Sequence, residues 1–397
     1  MHQKKKKILG LIVVSQFAGT SLWFVGNAVL PELKVALGLH QYALSLVTAA
    51  VMLGFVGGTL IFSFFSLADR FSPVKLFFFS SMLGALCNLA LVWFAKDASS
   101  LFILRFFTGF FIAGIYPVGM KIAGDWYEKG LGKALGFLLG ALVLGTAFPH
   151  LLKNRDFKLP WRSVLYFTSA FATVGGLLML FFVGDGPYRK RSGGFQWNAF
   201  TEIFSAKKMR QASLGYFGHM WELYTYWAFV PVMIALYAKN NSAELNVPLL
   251  SFMIIGCGSI SCIAGGYLSQ RFGSAKVATT SLVISGFCCM LSPLIFSLPL
   301  WAFLSVLFAW GLAVIPDSPQ FSTLVTQFAP EHLRGTALTI YNSIGFSISS
   351  VSLFVIDRIF YSSHFFSGIN TFLLLAIGPL LSVIPMVQLI ISSKRKT

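Results

Sequence analysis

The sequence predicts an all-α membrane protein that crosses the bilayer many times and consists of two related halves. Apolar residues make up 56% of its 397 residues and charged residues only 11%, which excludes a soluble core inside a polar surface. Apolar runs of about 20 residues, the length that crosses a hydrocarbon core, recur along nearly the whole chain. A loop sequence that follows one of these runs returns in the second half, which indicates an internal duplication.

Twelve of these runs are predicted to be transmembrane helices, six in each half, and the mean hydropathy of the chain is +0.76. The first run follows a cluster of lysines but is too long for the apolar core of a signal peptide, so we expect it to remain as a helix. The predicted spans are 8–30, 44–67, 76–95, 101–120, 134–152, 164–184, 212–238, 248–268, 277–297, 300–325, 335–356 and 370–392.

The duplicated loop relates the two halves residue by residue. Residues 65–75 read Phe-Ser-Leu-Ala-Asp-Arg-Phe-Ser-Pro-Val-Lys, and residues 266–276 read Gly-Tyr-Leu-Ser-Gln-Arg-Phe-Gly-Ser-Ala-Lys. The leucine, arginine, phenylalanine and lysine of the two copies correspond at one constant offset. Parallel repeats related by an axis along the membrane normal are an architecture of transporters, so we expect a transporter.

The formal net charge of +17 is explained by topology rather than by nucleic-acid binding. Basic residues cluster before the first span, in the middle loop and at the C-terminus, all on one side of the predicted membrane. An excess of lysine and arginine marks the cytoplasmic side, which predicts a multi-pass protein of the plasma (bacterial inner) membrane with both termini in the cytoplasm. The expected partner of this charge is anionic membrane lipid.

The longest polar segment divides the predicted domains, which are a first six-helix bundle over 1–184, a linker over 185–211 and a second bundle over 212–397. Within the linker, apolar residues at helical spacing predict an amphipathic helix on the membrane face, with a plain tether as the alternative. These apolar residues are Trp197, Phe200, Ile203 and Phe204.

Cofactors and catalytic chemistry are not indicated. The five cysteines fall inside spans, where we expect packing rather than disulfides or metal binding. We find no phosphate-binding loop that would couple the chain to ATP, and no nucleophile–base motif of an enzyme. We expect a monomer without a cofactor or metal.

The paired loops resemble the Gly-x-Leu-Ala-Asp-Arg-x-Gly-Arg-Arg loop of the major facilitator superfamily, which occurs between helices two and three and again between eight and nine. The resemblance extends over the whole chain and implies the fold of that superfamily, with two six-helix bundles related by a pseudo-two-fold axis. In this sequence Phe65 replaces the first glycine and Gln270 replaces the second acid. The resemblance implies a gating role for Asp69, Arg70, Lys75, Gly266, Arg271 and Gly273. We expect Asp69 and Arg70 to contact the start of helix eleven or the loop between helices four and five.

A second resemblance lies in helix four, where Arg105-Phe-Phe-Thr-Gly109 is similar to the Arg-x-x-x-Gly pattern of proton-coupled members. Arg105 is then a candidate counter-ion of the cavity, although it lies close enough to the outer boundary to extend to the surface instead. The nitrate and nitrite carriers of the superfamily place arginines in helices two and eight. Spans 44–67 and 248–268 contain none, so that assignment is weak.

Polar residues inside spans carry the hypothesis about function, since charge in hydrocarbon is costly unless it faces a cavity or a partner. His219 and Glu222 in the seventh span are three residues apart and share a helix face. Such a pair can gain and lose a proton during a transport cycle, because histidine titrates near neutral pH. A structural pair that locks helix seven to a neighbour is one alternative, and a metal site with further ligands is another.

The tenth span carries Asp317 and Ser318 between Pro316 and Pro319, which remove backbone donors and predict a break with exposed polar groups. A kink that only shapes the cavity wall is the alternative. The resemblance implies that helices one, four, seven and ten line the cavity. The further cavity candidates are Trp23, Asn27, Tyr116, Trp221, Tyr224, Trp227, Trp310, Gln320 and, from helix eleven, Asn342.

These observations predict a secondary transporter that moves a small solute by alternating access, with a proton as the coupling ion. Aromatic walls with a few acids suit an amphipathic or cationic solute. We expect Glu222 to carry the coupling proton, His219 to tune it and Asp317 to act as a second acid. The alternatives are a carrier-like sensor that binds solute without moving it, a polytopic membrane enzyme that uses His219 and Glu222, and a symporter of organic anions or nitrate.

Overall fold

The computed structural model describes residues 2–127, 131–189, 199–363 and 365–394, and within these ranges all regular secondary structure is helical. The described chain forms two compact units, Met1–Phe195 with Asn246–Ser259, and Gln196–Leu245 with Ile260–Thr397. We name the long helices one to twelve in chain order. The all-α membrane architecture predicted from the sequence is confirmed.

The first unit contains helices one to six. Within it, helix two packs on helix four, helix three on helices four and six, and helix one on helices five and six. The bounds are His2–Thr20, Val25–Ala28 and Leu30–Leu37 for helix one, Ala43–Phe64 for helix two, Pro73–Phe94 for helix three, Ala98–Ile112 and Tyr116–Trp126 for helix four, Leu131–Leu152 for helix five, and Trp161–Leu178 for helix six, which ends in a π-helical turn, Met179–Val183.

The second unit begins with a short helix and contains helix seven, most of the second segment of helix eight, and helices nine to twelve, whereas the first segment of helix eight belongs to the first unit. Helix seven packs along helices eleven and twelve, and helix nine packs on helices ten and twelve. The bounds are Ala199–Ser205 for the short helix, Lys207–Asn240 for helix seven, Val247–Gly256 and Gly258–Phe272 for helix eight, Ser274–Leu291 for helix nine, Leu300–Ala313 and Ser318–Phe328 for helix ten, Arg334–Phe360 for helix eleven, and Gly368–Ala376 (3-10) with Ile377–Lys394 for helix twelve.

Ten segments of the described chain are long and apolar enough to cross a membrane, each at the position of a predicted span. The two other predicted spans, 8–30 and 212–238, correspond to helices one and seven. Helix one is interrupted after Thr20, and helix seven carries titratable and aromatic polar side chains that lower its hydropathy. The structure is therefore consistent with twelve membrane-spanning helices.

The break in helix one, predicted as one continuous span, lies between Thr20 and Val25. The Thr20 hydroxyl donates to the carbonyl of Gln16 at 2.8 Å, and the Ser21 hydroxyl donates to the carbonyl of Ala18 at 2.7 Å. Hydroxyls that bond to the preceding turn compete with the helical ladder and bend helices. The break therefore needs no proline.

Helices two and four cross in backbone contact. A Cβ atom built on Gly54 would lie 1.9 Å from the carbonyl oxygen of Phe106, and one built on Gly109 would lie 1.9 Å from that of Val51. Gly58, one turn after Gly54, has the same relation to Phe110 at 2.3 Å. Small residues at these positions let the two backbones touch, which is the usual basis of helix association in membranes.

The two copies of the duplicated loop differ in backbone conformation. In the first copy Ser66 has a left-handed conformation with φ of 50°, and a separate short helix, Leu67–Arg70, follows it. In the second copy helix eight continues without a break to Phe272, and the turn falls at Gly273, where φ is 86°. Glycine adopts that conformation without strain, which explains its position there.

The linker contains the short helix Ala199–Ser205, within the segment where an amphipathic helix was predicted. Ile203 is buried and Phe200 is about half exposed, while Trp197 lies outside the described residues. The domain bounds 1–184, 185–211 and 212–397 stay a prediction, as does the symmetry that relates the two bundles.

Candidate functional site

Glu222 lies in a fully buried polar cluster inside the second unit. Its Oε1 accepts hydrogen bonds from Trp310 Nε1 at 2.5 Å and from Cys289 Sγ at 3.3 Å, and its Oε2 accepts one from Ser285 Oγ at 2.9 Å. Helix nine supplies the serine and the cysteine, and helix ten supplies the tryptophan. Burying a carboxylate is costly unless donors replace its water, and these three donors offset that cost.

Both ring nitrogens of His219 contact side chains at the break in helix ten. Its Nδ1 lies 3.0 Å from Oδ1 of Asp317, and its Nε2 lies 2.7 Å from Oγ of Ser318. His219 and Asp317 are buried, while Ser318 is partly exposed. Helix ten is interrupted between Ala313 and Ser318, where a break was predicted from Pro316 and Pro319. The break brings two consecutive polar side chains to one imidazole.

The structure thus separates the two residues of helix seven that were expected to act as a pair. His219 reaches helix ten, whereas Glu222 reaches the serine and cysteine of helix nine and Trp310 in the first segment of helix ten. Asp317, expected across a cavity, is instead in direct contact with His219. Within the described residues, no group of three or more histidine, cysteine, aspartate or glutamate side chains is arranged to hold a metal ion.

Aromatic rings enclose this cluster. Tyr216 stacks on Tyr341 with ring centroids 3.7 Å apart, and both His219 and Phe321 lie about 6 Å from its ring. Tyr216 also donates to Oδ1 of Asn342, a predicted cavity residue, at 3.1 Å. Ser318 was expected at the break of helix ten, whereas the polar partners Ser285 and Cys289 and the ring of Tyr341 were not predicted from the sequence. The one available signal was the spacing of Ser285 and Cys289, which are four apart and share a face of helix nine.

The other predicted aromatic residues lie in two places. Trp23 packs on Phe55 of helix two at 5.0 Å, and Phe55 stacks on Tyr116 at 6.4 Å, all inside the first unit. Tyr224 contacts Trp227 at 5.4 Å inside the second unit. The remaining candidates are placed as follows: Asn27 donates to Thr48 at 2.6 Å, Gln320 is buried in helix ten, and Trp221 donates to the carbonyl of Leu374 at 2.9 Å.

Arg105 is fully buried in the first unit and does not extend to the surface. Its guanidinium donates to the backbone carbonyls of Leu22, at 3.1 Å, and Trp23, and these are the carbonyls of the break in helix one. It also lies 3.4 Å from Oδ1 of Asn88, whose amide donates to Ser169 of helix six at 2.9 Å. In the described part of the chain no carboxylate pairs with Arg105. The arginine therefore caps a broken helix with a fixed positive charge.

The loop with the predicted gating residues carries an ionic network within the first unit. Asp69 lies 2.9 Å from Nζ of Lys121 in the second segment of helix four. Arg189, after helix six, donates to the carbonyl of Phe71 at 2.6 Å and pairs with Asp185 at 3.0 Å. Asp69 therefore contacts helix four itself, a few residues before the loop between helices four and five where its contact was expected. Residues 128–130 of that loop lie outside the described ranges.

The remaining gating candidates have separate surroundings. The backbone N–H of Lys75 donates to Oγ of Ser72 at 3.3 Å, so Ser72 is the N-cap of helix three. Arg271 lies 5.3 Å from the ring of Phe272, and Gly266 has open space around its α-carbon. Arg70 is exposed at the end of the short helix.

Comparisons with known proteins give one family and one fold. A family model described as the Major Facilitator Superfamily matches residues 11–353. A solved structure described as that of the human organic anion transporter MFSD10 (TETRAN) is similar over 96% of this chain and 99% of that chain, with a TM-score of 0.73 and 14% identity. At that identity the likeness concerns the fold. A comparison with curated protein sequences found no significant match. The chain belongs to the major facilitator superfamily of membrane transporters.

Proposed function

We propose that this transporter is driven by a proton gradient and that His219 with Asp317 forms its proton site. The proposal rests on the geometry of this pair. Both side chains are buried, and His219 also contacts Ser318, which is partly exposed. A titratable pair inside a membrane helix bundle is functional more often than structural. Glu222 becomes a second, more enclosed proton site.

The partners of His219 are compatible with both the protonated and the neutral imidazole. Serine donates and accepts, so Ser318 can face either protonation state of Nε2. A protonated imidazole pairs with the Asp317 carboxylate 3.0 Å away, and a neutral imidazole still donates to one of its neighbours. The other titratable groups nearest this pair are Glu222 and Tyr216 on helix seven, Cys262 on helix eight and Tyr341 on helix eleven.

Glu222 can also exist in two states without loss of hydrogen bonds. Trp310 only donates, so it fixes Oε1 as an acceptor. Ser285 is different, because its hydroxyl lies 2.9 Å from Oε2 of Glu222 and 3.4 Å from the carbonyl of Leu282. When Oε2 carries a proton, Ser285 accepts from it and turns its own donor to the carbonyl.

The experiment is solute accumulation in proteoliposomes under an imposed pH gradient, compared with exchange at equal pH. Asp317→Asn should lower uphill accumulation at least ten-fold and leave exchange within about two-fold, since exchange needs no net proton movement. Asp357→Asn is the matched control, because Asp357 is also fully buried in the second unit. Accumulation by Asp317→Asn at the wild-type level would refute the proton site, and an absence of flux in wild type would favour a sensor.

Two substrate classes have support. The aromatic rings around the buried acids favour the predicted amphipathic or cationic solute. An organic anion is the second candidate, because Arg105 is a buried cation without a carboxylate partner in the described chain and the fold resembles that of an organic anion transporter. Thermal shifts with benzoate and with benzylamine separate the two. Stabilisation by benzoate alone supports the anion, and stabilisation by benzylamine alone supports the cation.

The proposed setting is the plasma membrane of a bacterium, with both termini in the cytoplasm and the protein as a monomer. The support is the distribution of lysine and arginine along the sequence. Single cysteines placed at Lys96, which follows the third span, and at Lys276, which follows the eighth, lie on opposite sides of the membrane in this topology, and labelling with a membrane-impermeant reagent tests it. The topology predicts labelling from outside at position 96 only.

A further inference from the structure

A groove of about 360 Å³ runs between helices seven and twelve on the surface of the second unit. Its walls are apolar and open to the surroundings, with Leu381 exposed by 67% and Ile384 by 62%. Exposed apolar side chains on a membrane helix face lipid, so exposure alone is ordinary here. The shape, length and polar end of the groove distinguish it from the rest of that surface.

The two helices that form the groove approach each other closely at a pair of glycines. A Cβ atom on Gly218 would lie 2.2 Å from the carbonyl oxygen of Gly378, and a Cβ atom on Gly378 would lie 2.2 Å from that of Gly218. Pro385, inside helix twelve, also lines the groove and removes one backbone donor from that helix. The groove lies beside this close contact, along the outer faces of the two helices.

The length of the groove matches one leaflet of a bilayer. From Ile377 to Gln388 it follows twelve residues of helix twelve, which are eleven steps of 1.5 Å or about 16 Å. This is about half of a hydrocarbon core of about 30 Å. Ile377 also lies near the middle of the apolar segment Gly368–Ser392. A single acyl chain from one leaflet therefore has the length that the groove accepts.

Basic residues continue the groove at one end. Lys207, Arg210 and Leu214 follow one another on helix seven at spacings of three and then four residues, so all three share one helix face. Both basic side chains are exposed. Arg210 donates to the carbonyls of Phe204 and Ser205 at 3.0 and 2.7 Å, which holds its guanidinium at the end of the short helix, one turn before the lining residue Leu214.

A buried polar atom faces the same end. Gln211 is 5% exposed, and its amide nitrogen donates to Oε1 of Gln388, a lining residue, at 3.3 Å. Its carbonyl oxygen has no hydrogen-bond partner among the described residues. A buried acceptor without a partner costs free energy, and a hydroxyl of a ligand removes that cost. Positive charge and a buried acceptor are thus carried by the consecutive residues Arg210 and Gln211, just before the lining residues of helix seven.

We propose that the groove binds one anionic phospholipid, with an acyl chain between helices seven and twelve and the phosphate at Lys207 and Arg210. A phosphate receives charge-assisted hydrogen bonds from a guanidinium, and a glycerol headgroup supplies the hydroxyl for Gln211. The site is independent of the proton site proposed above, since it shares no residue with it.

The experiment measures lipid binding to the purified protein in detergent, by native mass spectrometry and thermal unfolding. The probes are dioleoyl phosphatidylglycerol and dioleoyl phosphatidylcholine. Phosphatidylglycerol should bind at least ten-fold more tightly, and Ile384→Trp or Leu381→Trp, which fill the groove, should remove that preference. Arg210→Gln should weaken phosphatidylglycerol binding while binding of phosphatidylcholine stays unchanged.

Two control variants carry the same changes elsewhere on the second unit. Ile284→Trp alters an exposed apolar residue of helix nine, and Lys276→Gln removes an exposed charge at the start of that helix. Both should bind phosphatidylglycerol as wild type does. Wild-type binding by Ile384→Trp and Leu381→Trp, equal binding of the two lipids, or an equal loss in Lys276→Gln would overturn the proposal. A dimer that Ile384→Trp dissociates would assign the groove to a second chain and overturn it as well.

Discussion

Buried charge has different partners in the two units. In the first, the guanidinium of Arg105 donates to backbone carbonyls at the break of helix one and to the side chain of Asn88. In the second, His219 and Asp317 face each other and Ser318, while Glu222 accepts from three side chains. A guanidinium stays charged at any pH that a protein experiences, whereas imidazole and carboxyl groups exchange protons.

This difference separates a structural charge from a responsive one. Backbone carbonyls cannot change their role, so the first cluster has one arrangement and its removal should show as lost stability. Hydroxyl groups both donate and accept, so the second cluster tolerates more than one protonation state. Variants of the first cluster should therefore change the melting temperature, and variants of the second should change the response of transport to pH.

The largest effect is expected for Arg105→Gln. The change leaves the carbonyls of Leu22 and Trp23 without their donors inside the bundle, and hydrogen bonds from charged groups contribute about 1.5–3 kcal/mol each. We expect a loss of about 3 kcal/mol in the free energy of unfolding, measured as a lower melting temperature in detergent. Arg358→Gln, at the end of helix eleven, is the control. If Arg105→Gln kept wild-type stability but changed the pH dependence of transport, Arg105 would not be a structural charge.

Glu222→Gln and Glu222→Ala should have separate consequences. The amide keeps an oxygen for Trp310 and a donor for Ser285, so we expect stability within about 1 kcal/mol of wild type and weaker pH-driven accumulation. Alanine leaves the Trp310 N–H buried without an acceptor, which costs about 1–3 kcal/mol more. Melting temperature and proteoliposome uptake measured on both variants check this. Equal stability of the two would show that Trp310 does not depend on Glu222.

A matched pair of smaller changes is Asn88→Ala in the first unit and Ser285→Ala in the second. Asn88 donates to Ser169 at 2.9 Å, and its loss should lower stability by about 1 kcal/mol without moving the pH profile of transport. Ser285 contacts Glu222, so its loss should shift that profile. The measurement is uptake between pH 5 and 9 together with thermal unfolding. Parallel pH profiles in the two variants would contradict the division into structural and responsive clusters.

The smallest effect is expected at Asp97, an exposed acid outside the membrane-spanning helices that serves as a reference. Hydrogen bonds from the side chain and backbone of Ser100 lower the pKa of Asp97 below its ordinary value. A carboxyl group whose pKa is lowered in the folded state stabilises the fold at neutral pH, and that contribution to stability is lost as the pH falls through the lowered pKa. Asp97→Asn should therefore lower the melting temperature slightly at pH 7 and by less at pH 3. A loss that is equal at both pH values would show that the charge is not involved.

Much of the architecture could be predicted from local signals. The lengths of apolar runs locate the spans, and Pro316 with Pro319 locates the break in helix ten. The break in helix one was missed because no proline marks it. It depends on hydroxyls of Thr20 and Ser21 that turn back on the preceding turn, and such residues are common in helices that do not break.

The titratable residues of the site could be found from the sequence, but their partners could not. His219 and Glu222 stand out because charge is rare in membrane spans. Whether they face each other or different neighbours depends on the rotation of helices nine and ten, which no local pattern determines. Ser285 and Cys289 are small residues of kinds that occur throughout the chain, so their spacing of four residues does not by itself distinguish them as the two that touch Glu222.

The backbone contact of helices two and four also has a consequence for biosynthesis. Membrane helices insert first as independent segments and associate afterwards. Insertion of helix two depends on its hydropathy, which an alanine or leucine at Gly54 leaves intact. Its association with helix four does not tolerate either, since even one Cβ atom would meet a carbonyl oxygen at 1.9 Å. A cell that makes such a chain should place it in the membrane with the correct topology and then degrade it as an unassembled bundle.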